Sequence, residues 1–151
     1  MNDTTKRLIA KAAARKDEND LPYAGALLPA EAAELLAADS GAKLIDVRTV
    51  PELVYVGRVP DAAAIEWQSW PDMAQNPHFL TLLERVANKE SPALFLCRSG
   101  ARSHYAAAAA AQAGWQLAVN VLEGFEGGIN GDNRRGFCGG WRFRGLPWEQ
   151  S

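Results

Sequence analysis

Apolar residues follow two alternating patterns along this chain. Short apolar runs bounded by turn residues, typical of buried strands, occupy residues 43–47, 62–65, 93–96 and 117–122. Helical spacing begins at Pro29, which suits a first helical turn, and ends at Gly41. The same spacing returns over residues 77–87 and 101–113. Strands that alternate with helices predict an α/β fold, with a parallel sheet covered by helices on both faces.

The first twenty residues predict a helical extension ahead of one domain at 21–151. Thr4 or Thr5 is a suitable helix cap, and Leu8, Ile9 and Ala12 form a weak apolar stripe. A chain of 151 residues has room for a single domain. The stripe is too weak to decide whether the helix packs on that domain.

The composition excludes several classes of protein. Two cysteines are too few for a disulfide framework, and two histidines leave no four-ligand metal spacing. No apolar run approaches the length of about 20 residues that crosses a bilayer, and the N-terminus lacks the core of a signal peptide. A net charge of −2 does not indicate a nucleic-acid partner. We therefore expect a cytoplasmic protein that binds neither membranes nor nucleic acid.

The predicted sheet brings several loops together. Ligands of parallel sheets bind beyond the carboxyl ends of the strands, and residues 48–49, 66–67, 97–102 and 123–125 leave those ends. We expect these segments to converge on one site. A small anionic substrate is expected there because six arginines lie in or near these segments: Arg48, Arg58, Arg98, Arg102, Arg134 and Arg135.

Cys97 stands where a predicted strand meets a predicted helix. The positive end of the helix, together with Arg98 and Arg102, favours the thiolate over the thiol. Gly100 permits the positive φ of a loop whose N–H groups turn toward the sulfur, and such a loop also binds anion oxygens. An inert buried cysteine is the alternative, but it would not require two arginines and a glycine beside it. We predict that Cys97 is a nucleophile.

Several motifs of the chain resemble the rhodanese family. They are Leu44–Arg48, Glu52, Gly57–Ala62, Cys97–Ser103, Glu126–Gly128 and Gly145–Trp148. The resemblance covers about residues 25–149. It implies a five-stranded α/β fold, no cofactor, and a sulfurtransferase that carries sulfur as a persulfide on Cys97. Asp61 stands where the family often has glycine, and Asp tolerates the left-handed backbone that such a turn needs.

The resemblance also implies roles for the residues around the nucleophile. The donor, thiosulfate or a similar small anion, would bind the loop of Arg98, Ser99, Gly100, Ala101 and Arg102. The acceptor would be cyanide, a thiol or a protein cysteine. Asp46 and Arg48 would support the pocket, with Arg48 paired to Glu52. A surface ion pair worth about 0–1 kcal/mol is the alternative for that pair.

Four further residues have two interpretations each. Trp67 and Trp70 either wall the pocket or pack in the core, and of the two we assign Trp67 to pocket support. His104 lies one helical turn too far along the chain for a general base, so we expect it to be non-catalytic. Cys138, in a Gly-rich segment, is either a thiol that attacks the Cys97 persulfide or an incidental cysteine, and we favour the latter.

Two other functions fit parts of the sequence. Cysteine-dependent phosphatases and arsenate reductases share the loop chemistry, but their pattern places five residues between Cys and Arg. Four residues separate Cys97 from Arg102, so the ring has less room for a tetrahedral phosphate and suits a single transferable sulfur. A catalytically silent binding module of the same fold usually lacks the cysteine, which this chain retains.

Overall fold

A central parallel sheet organises the protein. The computed structural model describes all 151 residues. Its five helices are α1 (Asp3–Asn19), α2 (Pro29–Ala38), α3 (Val50–Tyr55), α4 (Phe79–Val86) and α5 (Ala101–Gln112). Its strands are β1 (Gly25–Leu27), β2 (Lys43–Asp46), β3 (Ala63–Ala64), β4 (Gln68–Ser69), β5 (Ala74–Gln75), β6 (Ala93–Leu96) and β7 (Ala118–Val121).

The strand order places β6 in the middle of the sheet. Five parallel strands follow the order β1-β7-β6-β2-β3, while β4 and β5 form a separate antiparallel hairpin. This confirms the predicted five-stranded α/β fold. In the register, Asp46 of β2 is opposite Leu96, and Asn120 of β7 is opposite Phe95. Both polar residues therefore flank the end of β6, from which Cys97 follows directly.

Alternating side chains of β6 divide the core into two layers. Phe95 packs in one cluster with residues of α4 and α5, and Leu94 packs in the other with residues of α1 and α2. All four residues of β6 are buried, as expected for a strand covered on both faces. The alanines of α5 that face the sheet are fully buried, and their small side chains let the helix lie close to it.

The N-terminal helix is part of this packed unit. Leu8 and Ala12 of α1 are buried in the second cluster. A Cβ at Gly25 would lie 2.1 Å from the Ala12 carbonyl oxygen, so only glycine permits this close approach of β1 to α1. The cap is the Asn2 side chain, which accepts the Thr5 N–H. The predicted caps, Thr4 and Thr5, are therefore wrong.

Three elements were not predicted from the sequence: β1, α3 and the β4–β5 hairpin. β1 has three residues, α3 has six, and β4 and β5 have two each. Elements this short contain too few positions for a periodic apolar pattern to be recognised. Asp61 has a φ of +66°, which confirms the expected left-handed turn. No helix combines the length and the apolar composition needed to span a membrane.

Candidate functional site

Cys97 lies at the carboxyl end of the central strand, in the loop that leads into α5. Its side chain is buried, with a residue exposure of 1%. The Gly100 N–H donates to Cys97 Sγ at 3.1 Å, and Gly100 has a φ of +105°, as the loop prediction required. This is the only backbone N–H that donates to the sulfur, whereas the sequence predicted several.

A closed ring of hydrogen bonds surrounds the sulfur. Ser103 Oγ lies 3.2 Å from Cys97 Sγ and 2.6 Å from Asn120 Oδ1, to which it donates. Asn120 Nδ2 in turn donates to the Gly100 carbonyl oxygen at 3.2 Å, which fixes the orientation of the amide. Ser103 and Asn120 are both buried. When the sulfur loses its proton, rotation of the Ser103 hydroxyl turns its one proton from Asn120 Oδ1 to the thiolate.

Sequence reasoning gave Ser103 and Asn120 no role. The available signal was Asn120 itself, a polar residue between Val119 and Val121 in a strand buried on both faces. A buried amide needs hydrogen-bond partners. In this fold the partners of the Asn120 amide are the Ser103 hydroxyl and the Gly100 carbonyl oxygen.

Arg102 is held by Glu52 rather than standing free. Arg102 Nη1 and Nη2 donate to the two Glu52 carboxylate oxygens at 2.8 and 2.9 Å. Burial by itself raises the pKa of Glu52, but hydrogen bonds from Arg102 and from the Thr49 N–H outweigh it and lower this pKa to about 2. The hydrogen bonds that Arg102 donates to Glu52 also raise the pKa of Arg102 above its usual value. Thus the pair stays charged and anchors the start of α5 to α3.

Arg48 pairs with Asp46, so the predicted pair of Arg48 and Glu52 is wrong. Arg48 is fully buried. Its Nη2 donates to Asp46 Oδ2 at 2.7 Å and to the Gly57 carbonyl oxygen at 2.8 Å. Its guanidinium carbon stands 4.3 Å from the centre of the Phe125 ring. Asp46 and Arg48 therefore brace the end of β2 beneath the site and do not touch the cleft.

A cleft of about 460 Å³ opens beside the loop. Four charged side chains line it, together with Thr49 and four apolar residues: Glu52, Arg98, Arg102 and Glu126, then Pro51, Val56, Trp70 and Met73. Trp70 lines the cleft, whereas Trp67 packs edge-to-face on Phe79 in the core. The prediction of Trp67 as a pocket residue is therefore wrong, and Trp70 lines the cleft instead.

The loop after β7 converges on the cysteine loop, as predicted. The Phe125 N–H donates to the Cys97 carbonyl oxygen at 2.8 Å, and the Glu126 N–H donates to the Arg98 carbonyl oxygen at 2.9 Å. A Cβ at Gly124 would lie 2.5 Å from the Arg98 carbonyl carbon, so this contact requires glycine. These hydrogen bonds fix the start of the loop on the sheet.

The other predicted arginines do not reach the cleft. Arg58 pairs with Glu149, and Arg135 donates to the Gly127 carbonyl oxygen. Arg134 is exposed and does not line the cleft. The expected concentration of six arginines is therefore wrong, and two of them, Arg98 and Arg102, line the site.

His104 and Cys138 have no hydrogen bond to Cys97. His104 Nδ1 lies 2.6 Å from the Tyr23 hydroxyl oxygen. That bond directs the imidazole toward the β1 side of α5. Cys138 is exposed, and its Sγ donates to the Gly128 carbonyl oxygen at 3.5 Å.

Fold and site define an α/β protein whose central strand delivers a cysteine into a strand-to-helix loop. The chain belongs to the Rhodanese-like domain family, whose sequence profile matches residues 28–130. It is 34% identical over 127 residues to the uncharacterized protein RC0915 of Rickettsia conorii, a match that covers 79% of this chain and 92% of that protein.

Two solved structures are similar to this protein in fold and in sequence. The fold is similar to Rv0390 from M. tuberculosis, with a TM-score of 0.78 and 42% identity, over 85% of this chain and 99% of that one. It is also similar to the polysulfide-sulfur transferase homodimer of Wolinella succinogenes, with a TM-score of 0.58 and 25% identity. That match covers 98% of this chain and 88% of the transferase chain.

Proposed function

We propose that this protein is a sulfurtransferase that carries a sulfane sulfur as a persulfide on Cys97. The observation that carries the proposal is the placement of the Cys97 sulfur between the Gly100 N–H and the Ser103 hydroxyl, at the N-terminus of α5. Both groups and the helix dipole stabilise negative charge on sulfur. Membership of the Rhodanese-like domain family supports the same reaction class.

In the first half-reaction the Cys97 thiolate attacks the outer sulfur of a donor such as thiosulfate or a polysulfide. The new Sγ–S bond forms as the donor S–S bond breaks, and the leaving group, sulfite in the case of thiosulfate, takes the bonding electron pair. Arg98 contacts the incoming anion at the exposed side of the loop. Arg102, held by Glu52, keeps the shape of the loop and adds positive charge near the sulfur.

In the second half-reaction an acceptor attacks the outer sulfur of the persulfide. Cyanide, a small thiol or a protein cysteine each serves, and Cys97 leaves as the thiolate that began the cycle. The two half-reactions share one covalent intermediate, so ping-pong kinetics are expected. No general base is needed once the thiolate is formed, which agrees with the position of His104 away from the sulfur.

The spacing of the loop supports sulfur transfer over phosphate or arsenate chemistry. Four residues separate Cys97 from Arg102, and both terminal nitrogens of Arg102 already donate to Glu52. A phosphatase must enclose the phosphorus that its cysteine attacks with several donors, whereas only the terminal sulfur of a sulfur donor has to reach Cys97.

Thiosulfate:cyanide sulfur transfer tests the proposal in Cys97→Ser protein. The variant should lose this activity while its thermal unfolding stays close to that of the wild type. Cys138→Ser is the matched control, because it removes the other thiol of the chain and should keep full activity. Substantial turnover by Cys97→Ser would refute the assignment of the nucleophile.

A further inference from the structure

The position of α3 is not fixed by packing in the core. None of its six residues is buried, and a helix this short is not stable by itself. Contacts at its two ends must therefore hold it in place. At its start, the Val50 N–H donates to Glu66 Oε2 at 3.0 Å, and Glu52 pairs with Arg102. Its other end is held by a distant part of the chain.

Residues 146–151, here called the strap, cross the end of α3. Glu149 pairs antiparallel with Arg58, and the backbone N–H of each donates to the carbonyl oxygen of the other, at 2.8 and 2.9 Å. Trp148 packs on Gly57, where a Cβ would lie 2.8 Å from Trp148 Cε3. The same indole ring packs edge-to-face on Phe125, with 6.2 Å between the ring centres. The strap therefore covers the turn that follows α3.

Two polar side chains complete this contact by capping the helix. The Val56 carbonyl oxygen, at the end of α3, accepts hydrogen bonds from Gln150 Nε2 at 3.3 Å and from Arg142 Nη1 at 3.4 Å. The Arg142 guanidinium carbon stands 5.3 Å from the centre of the Trp148 ring. Carbonyl groups in the last turn of a helix have no partner within the helix, and a positive charge there is favourable. The strap and Arg142 together thus hold the end of α3.

Observed contacts connect α3 to the sulfur. Glu52 lies one turn before Val56 and accepts hydrogen bonds from both terminal nitrogens of Arg102. These hydrogen bonds are the main cause that raises the pKa of Arg102, and the negative charge of the Cys97 thiolate adds to the rise. The charges of Arg102 and Cys97 therefore interact. A displacement of α3 moves Glu52, and with it the positive charge beside the nucleophile.

We propose that the strap is a positioning element of the active site and that Trp148 is its positioning residue. By holding the end of α3, Trp148 keeps Glu52 where it directs Arg102 to the cysteine loop. Trp148 does not line the cleft, so its effect on the sulfur passes through Arg102. The inference rests on the proposed sulfurtransferase function and gives that reaction a residue that meets no substrate.

A double-mutant cycle of Trp148 and Arg102 tests the proposal. Trp148→Ala should lower kcat for thiosulfate:cyanide sulfur transfer about tenfold, because misplacement by about 1 Å can cost as much as about a hundredfold. In an Arg102→Ala background the same substitution should change kcat by less than about twofold, since the group that it positions is absent. Trp148→Phe keeps an aromatic ring against Gly57 and Phe125 and should retain most of the activity.

Alkylation of Cys97 by iodoacetamide at mildly acidic pH provides a readout that does not require sulfur transfer. In Cys138→Ser protein, Trp148→Ala and Arg102→Ala should both slow alkylation, and the double variant should be no slower than Arg102→Ala. Phe143→Ala is the matched control, because it removes an exposed aromatic ring that contacts Arg144 outside the strap. It should change neither kcat nor the alkylation rate.

Urea unfolding shows which variants are folded under the assay conditions. If Trp148→Ala is not, Arg142→Ala removes the second contact with Val56, and its loss of kcat should likewise disappear in the Arg102→Ala background. If folded Trp148→Ala keeps full kcat, or loses the same factor with and without Arg102, the strap does not position Arg102, while the sulfurtransferase stands. If the wild type transfers no sulfur, the proposed function fails, and the alkylation cycle alone decides whether the strap acts on Cys97.

Discussion

Replacement of Ser103 by alanine tests how the protein stabilises a buried sulfur anion. The substitution removes the hydroxyl that lies 3.2 Å from Cys97 Sγ and 2.6 Å from Asn120 Oδ1. The sulfur then keeps a single donor, the Gly100 N–H. A hydrogen bond to a charged group is worth about 1.5–3 kcal/mol, and 1.4 kcal/mol is about a factor of ten in an equilibrium constant. Because the Ser103 proton leaves Asn120 Oδ1 when it turns to the thiolate, the net loss lies at the low end of this range, and alkylation of Cys97 should slow about tenfold.

Alkylation of Cys97 by iodoacetamide at mildly acidic pH measures this loss. In Cys138→Ser protein, Ser103→Ala should lower the second-order rate constant by about the same factor. Ser99→Ala is the control, since it removes a hydroxyl of the same loop that makes no hydrogen bond to the sulfur. The midpoint temperature of thermal unfolding should also fall, because Asn120 Oδ1 is left buried without a donor, at a cost of about 1–3 kcal/mol. An unchanged alkylation rate in folded Ser103→Ala protein would refute the role of the hydroxyl.

Three further predictions concern the loop arginines, acid stability and the N-terminal helix. Arg98→Ala should raise KM for thiosulfate more than it lowers kcat. Arg102→Ala should lower kcat, and it also leaves Glu52 unpaired. If steady-state kinetics show equal effects on KM and kcat in the two variants, the separate roles given to these arginines are wrong. The pKa of Glu52 is lowered from its ordinary 4.5 to about 2. Ionised Glu52 therefore stabilises the folded protein fully above about pH 4.5, and this stabilisation is lost as the pH falls toward 2. Urea unfolding over this pH range should show a smaller loss of unfolding free energy in Glu52→Gln than in the wild type. Leu8→Ala should lower the free energy of unfolding by about 2–5 kcal/mol, since Leu8 is fully buried; a change below about 1 kcal/mol in urea unfolding would show that α1 is not part of the cooperative unit.

The parts of the fold that repeat a pattern were predictable from the sequence. The four predicted strands and the helices at 29–40, 77–87 and 101–113 all correspond to observed elements. All but one bury a regular apolar face; the exception is β3, which buries neither Ala63 nor Ala64. β1 was missed, since a three-residue strand contains too few positions to show a pattern. It is held by pairing with β7 and by the close approach of Gly25 to α1, neither of which is local in the sequence.

The pairing of charged residues was not predictable in the same way. Arg48 was assigned to Glu52, but Arg48 lies beside Asp46 in the core, and Glu52 reaches Arg102, fifty residues away in the chain. One local signal was available. Thr49 and Glu52 have the spacing of a capping box, and the Thr49 N–H does donate to Glu52 Oε1 at 3.0 Å. That spacing predicts the start of α3 and hence the side on which Glu52 emerges.

Cys97 was predicted to be the nucleophile from the local sequence, because a cysteine followed by two arginines and a glycine at a strand end has few structural uses. The contact of Ser103 with Asn120 was not predicted, since Asn120 comes from a different strand and only the parallel pairing of β6 with β7 brings it to Ser103. Predicting this contact requires the strand order, which periodicity does not contain.

The intact mass of the protein is the most direct test of the central claim. Protein treated with thiosulfate should gain one sulfur atom, and cyanide should then remove it. Cys138→Ser should behave as the wild type, and Cys97→Ser should gain nothing. A wild-type protein that never gains sulfur, or a sulfur that persists in Cys97→Ser, would contradict a persulfide on Cys97.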